Sequence, residues 1–124
     1  MKALIVFLFL FFGSLGQTIA QDIFLGEPKT LLSYHKEHQV WENGKKTEAK
    51  SKVNVEFKIF MSDSFISISE PDTLFQFKIV EFEKDKYANY TFTTEKGHKI
   101  QYFRTSSLVA VLWKGNGVID NYYL

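Results

Sequence analysis

Residues 53–82 alternate in polarity, and this alternation limits what the chain can fold into more than any other feature. Val53, Val55, Phe57 and Ile59 point one way, and Lys52, Asn54, Glu56 and Lys58 the other. A break at Met61-Ser62-Asp63-Ser64 leads into Ile66 and Ile68; Pro71-Asp72 then leads into Phe75, Phe77 and Ile79. Period-two apolarity marks strands with one buried face and one wet face. Three such runs joined by tight turns predict a β-meander.

The flanking segments extend it. Thr30 to Glu42 reads as a strand ending at Val40-Trp41-Glu42, because Asn43-Gly44 is a strong turn signal. Lys45 to Lys52 is charged and without an apolar period, which predicts an exposed loop or a ragged hairpin end. In Leu74–Glu83 the apolar phase shifts from Phe77 and Ile79 to Val80 and Phe82, predicting a β-bulge near Ile79-Val80. Tyr90 and Phe92 alternate with Asn89, Thr91 and Thr93, and Gly97 supplies a positive φ to the next hairpin. Leu108–Trp113 is apolar on both faces, as in a strand covered on both sides. Lys114-Gly115-Asn116-Gly117 is a turn, and Val118 to Leu124 a last strand. Seven or eight strands with short links must run antiparallel, since two- to five-residue loops cannot join parallel neighbours. The expected architecture is all-β, a small up-and-down barrel or half-barrel, with a two-sheet β-sandwich as the alternative.

Residues 1–20 read as a secretory signal peptide. Met1-Lys2 is positive, Ala3 to Phe12 is unbroken apolar chain, and Thr18-Ile19-Ala20 offers small residues for cleavage before Gln21. The apolar run is too short to cross a bilayer, which takes ~20 residues. Residues 21–124 then form a single exported domain, periplasmic or secreted, without a membrane span. An irregular lead-in is expected at residues 22–29, with Gly26 and Pro28 as breakers. Without Lys2 the basic and acidic residues balance, so no strong field draws in nucleic acid or an anionic membrane. Outward Lys, Glu and Asn also disfavour a transmembrane β-barrel. The chain has no cysteine, which excludes disulfides and thiolate metal sites; packing and strand pairing must hold it.

Few residues suggest chemistry. His35 and His38 are the candidate metal ligands. On a helix they would share a face, but on a strand they point apart, and a metal site needs three or four ligands. His98 falls in a hairpin turn, and no serine sits in a nucleophile elbow. Turn formation accounts for Asp63, Asp72 and Asp85. Lys45, Lys46, Lys50 and Lys52 form a basic stretch, read as a solvated surface rather than a phosphate contact. No metal or cofactor is expected, nor is an enzyme.

Trp41, Tyr102, Trp113, Tyr122 and Tyr123 are the aromatic residues least explained by alternation. Most belong in a core; the others are candidates for a surface that meets a ligand or partner. In outline a meander barrel behind a leader resembles lipocalin-type carriers, which implies a small apolar ligand. Their Gly-x-Trp signature is missing, since Gln39-Val40 precedes Trp41, and no family is assigned. The expected function is a non-enzymatic binding module of the cell envelope or extracellular space, contacting a protein or envelope component through a sheet face or edge. The alternatives are a lipocalin-like carrier and a small hydrolase or isomerase in which a histidine meets a carboxylate.

Overall fold

The computed structural model describes residues 28–124, so the expected leader at 1–20 and most of the lead-in lie outside the described residues. Eight strands follow in order: β1 (Lys29–Glu42), β2 (Lys45–Met61), β3 (Phe65–Glu70), β4 (Thr73–Lys84), β5 (Asn89–Thr94), β6 (Lys99–Phe103), β7 (Leu108–Leu112) and β8 (Val118–Tyr123). Each pairs antiparallel with the next. β8 returns to β1, from His35 opposite Tyr123 to Val40 opposite Val118, and closes the ring. The up-and-down barrel is therefore the architecture, and closure hides edges that a half-barrel would expose. The β1–β2, β3–β4, β5–β6 and β7–β8 turns gather at one end, here the hairpin end.

The inward face is packed solid. Phe57, Ile59, Met61, Ile66, Ile68 and Phe92 have no solvent exposure. Tyr90 stacks on Phe92 and on Tyr102, with centroids 6.2 Å apart in both pairs. Aromatic side chains each bury about 150–250 Å², which lets so small a domain hold together without disulfides.

The structure corrects three sequence expectations. Lys45 to Lys52 is strand rather than loop, paired to β1 from Lys45 opposite Glu42 to Lys52 opposite Lys36. The Asn43-Gly44 turn has both φ angles positive, 52° and 78°, which matches the twist of a tight hairpin and carries the ladder through charged residues. Val53 leaves the inward row and is more than half exposed. Asn54 adopts φ 61°, and five residues of β2, Val53 to Phe57, lie opposite three of β1, Ser33 to His35; this re-phases the strand. Finally, β7 is only partly covered outside. Ala110 is buried between Gln101 and Asn121, but Leu108 and Leu112 are half-buried. The bulge expected near Ile79-Val80 is present as a register shift between Ile79 and Glu81, with Val80 turned outward.

The wall is uneven. β2 pairs with β3 only over Lys58–Met61, so the β1–β2 hairpin projects past the ring. β4 meets β5 only from Ile79 opposite Thr94. Among the described residues its first half, Thr73 to Gln76, pairs only with β3, which leaves a notch at the hairpin end.

Candidate functional site

Two groups of side chains meet at the hairpin end, and Trp113 belongs to both. The first is a polar network inside the barrel. Lys36 and His38 face inward because their neighbours across the β1–β8 seam are Tyr122 and Asp120. Glu70 continues the inward row of Ile66 and Ile68. Lys36 Nζ lies 2.5 Å from Glu70 Oε2 and 4.0 Å from Asp120 Oδ1, with all three side chains nearly buried. The same ammonium sits 5.3 Å above the Tyr122 ring. Tyr122 donates its hydroxyl proton to Glu70 Oε2 at 2.7 Å. Asp120 Oδ1 meets His38 Nδ1 at 2.6 Å, and Oδ2 accepts from Trp113 Nε1 at 2.7 Å. Burial, and then the bond to Glu70, push the Tyr122 phenol well above its ordinary pKa.

The second group is the notch itself, an open cleft of about 380 Å³. Phe75, Phe77, His98 and Trp113 form its aromatic wall. Trp113 packs edge-on against Phe75 at 5.4 Å and against His98 at 5.0 Å. Phe77 lies 5.6 Å from the indole. His98 is fixed on both sides. Its backbone N–H donates to Thr94 Oγ1 at 2.9 Å, and Lys114 N–H donates to its Nδ1 at 3.0 Å. With Nδ1 accepting, the neutral ring carries its proton on Nε2.

The sequence candidates divide accordingly. Tyr102 and Tyr122 are core, Trp113 joins the two groups, and Trp41 and Tyr123 are about a third exposed. Trp41 Nε1 donates to Gln39 Oε1 at 2.9 Å. Tyr123 stacks on His35, centroids 4.8 Å apart, and donates to Glu37 Oε1 at 3.2 Å. His35 therefore lies outside and His38 inside, and the pair does not converge. Among the described residues no group of three or more His, Asp or Glu is placed to hold a metal. Sequence reasoning missed Lys36, Glu70 and Asp120. The available signal was parity: Glu70 falls on the row of Ile66 and Ile68, and Asp120 on the row of Tyr122.

His38 and Asp120 form a hydrogen-bonded pair. No hydroxyl bonds His38 among the described residues, and Ser33 donates to the His35 and Tyr123 carbonyls. Nor is any helix long and apolar enough to cross a membrane found among the described residues.

The fold and its notched end thus define a small closed β-barrel with an aromatic cleft at one rim. Compared with known protein families, curated proteins and solved structures, the chain matches none.

Proposed function

We propose that this chain is an exported, non-enzymatic binding module of the cell envelope or extracellular space, and that its partner, a protein or another envelope component, is held at the cleft beside β4. The observation that carries the reading is the cleft itself. Aromatic side chains line an opening of about 380 Å³ beside a strand edge, while the lumen behind it is filled. Recognition sites are concave, largely apolar and supplied with a few polar groups. The exported location rests on the leader-like composition of residues 1–20.

Photo-crosslinking tests the site. A benzophenone amino acid replaces Gln76, beside the cleft, or Arg104, in the β6–β7 turn at the opposite end. In the producing cells a specific adduct is expected from position 76 only. Equal adducts from both positions, or none, overturn the assignment. N-terminal sequencing of the exported protein should begin at Gln21; an intact Met1 in a membrane fraction would reverse the compartment.

A second reading, a small hydrolase or isomerase, draws on the 2.6 Å pair of His38 and Asp120. Turnover of an ester or a ketone panel that His38→Ala abolishes would favour it.

A further inference from the structure

We propose that the cleft takes an extended peptide segment bearing acidic side chains, which adds to β4 as a further strand. The inference rests on the reading of the cleft as the partner site and specifies what occupies it. The backbone supplies the argument. Ile79 N–H donates to Ser64 O at 3.0 Å on the β3 side, while Lys78 O accepts from Glu95 N–H at 2.8 Å on the other. Successive residues of a strand present their N–H and C=O groups to opposite edges. Leu74 and Gln76 therefore share the side of the Lys78 carbonyl. No backbone partner meets their N–H or C=O among the described residues. These groups ask for another extended backbone, and six residues from Thr73 to Lys78 offer roughly 20 Å of edge.

Side chains agree with the backbone. β2 also has a free edge, from Lys45 to Phe57, but Lys45, Lys46, Lys50 and Lys52 lie along this stretch. Charge of that kind discourages strand pairing. The β4 edge instead carries Leu74, more than half exposed, and opens onto Phe75, Phe77 and Trp113. Pockets beside an edge accept alternate side chains of an added strand. His98 Nε2 has no partner among the described residues and supplies a donor on the cleft wall. Charge selects the incoming chain. Lys78 and Lys96 line the cleft, and the Lys114 side chain lies over Gly97 beside it. Glu95 is the one carboxylate on this wall, 4.0 Å from Lys78, and both are well exposed. The rim is thus net positive, and carboxylates on the added strand complement it.

The test uses a panel of N-acetylated hexapeptides in which Glu alternates with Leu, Val, Phe or Tyr, titrated into the isotope-labelled protein and followed by NMR. Binding members should shift the Leu74 and Gln76 amides and the Trp113 indole, and slow exchange of both amides. N-methylating the peptide amides that face β4 should weaken binding roughly three- to tenfold per bond lost. Replacing Glu by Lys in the peptides should weaken it further, and Lys96→Glu, which leaves the rim without net charge, should largely remove that preference. Gln76→Pro should abolish peptide binding while β3–β4 pairing persists, since proline is tolerated where the N–H faces away from the sheet. The proposal is overturned if no member moves Leu74 and Gln76, or if N-methylated peptides bind equally well. Should either happen while position 76 still crosslinks a partner, the cleft keeps its role and strand addition fails; with neither shift nor adduct, both readings fall.

Discussion

The polar network and the aromatic cleft share Trp113 and a few turns of chain, yet they treat hydrogen bonding in opposite ways. In the network the nearly buried charged groups are paired with one another. Lys36 has Glu70 and Asp120, Tyr122 has Glu70, and the two oxygens of Asp120 go to His38 and Trp113. The only buried side-chain polar atom without a partner among the described residues is Asn89 Oδ1, at the opposite end. Along the cleft, by contrast, Leu74 and Gln76 have backbone groups without a partner among the described residues, beside exposed apolar surface. Satisfied buried polar groups fix one arrangement of the core. Unsatisfied groups at a rim are available to something else. The proposed recognition role therefore falls on the second region, although the first has the more reactive-looking residues.

The largest effect should come from breaking the network. Glu70→Ala leaves Lys36 with Asp120 at 4.0 Å as its one carboxylate among the described residues and strips Tyr122 of its acceptor. Removing one partner of a buried ion pair costs about 3–5 kcal/mol, and denaturant unfolding should register a loss of that order. Little or no change would mean that the network is not what holds this end closed.

Next comes Gly117, which sits under the seam. It accepts Trp41 N–H at 2.7 Å, has φ 68°, and a Cβ added there would run into the Trp41 carbonyl. Gly117→Ala forces a side chain into the left-handed region, at about 1–3 kcal/mol, before any clash is counted. Because this turn leads into β8, the variant should also perturb the Trp113 indole resonance through Asp120. A stable variant with an unmoved indole would separate the seam from the network.

These sites also show what a sequence reveals. The rows Ile66/Ile68 and Phe75/Phe77, the Asn43-Gly44 turn and the bulge after Ile79 are legible because each depends on residues next to one another. Asn54 was not legible, since nothing local distinguishes an asparagine at positive φ from one on a wet strand face. The network was hidden for another reason. Lys36 and Glu70 are 34 residues apart, and His38 and Asp120 are 82 apart. Closure of β8 onto β1 creates the second contact, and the first joins strands with β2 between them. Parity puts Glu70 and Asp120 on inward rows once the strands are known, but parity alone does not tell a buried carboxylate from a break in the pattern. The cleft was half visible: Trp113 stood out as an aromatic residue without a place, whereas the free edge of β4 depends on where β5 begins to pair.

Tyr122→Phe should have a smaller effect. It deletes one hydrogen bond and keeps the ring against Phe57, 5.5 Å away, so about 1 kcal/mol is expected. The pH dependence is more informative. Burial first, and then the hydrogen bond to Glu70, raise the folded-state pKa of Tyr122 above the ordinary 10.0. The folded protein therefore keeps a proton that the unfolded chain releases. Its stability is intact below pH 10 and declines as the pH rises beyond it. Tyr122→Phe should shallow this alkaline decline. Tyr123, also raised by burial and by Glu37, leaves a residual slope. An identical alkaline slope in both proteins would show that Tyr122 ionises as an exposed phenol does.

The smallest effect on stability belongs to the cleft, and there it is the most telling. Leu74 is more than half exposed, packs no closed core and points away from the lumen. Leu74→Ser should change stability by no more than about 0.5 kcal/mol. Apolar area lost at a recognition surface is felt only when a partner covers it, so the same substitution should weaken partner capture at position 76 while melting stays put. If Leu74→Ser destabilised the protein as much as Tyr122→Phe, the β4 edge would be part of the packed wall, and the division between a sealed network and an open cleft would fail. Stability unchanged with capture reduced would place the function of this end at an edge that the fold has left unpaired.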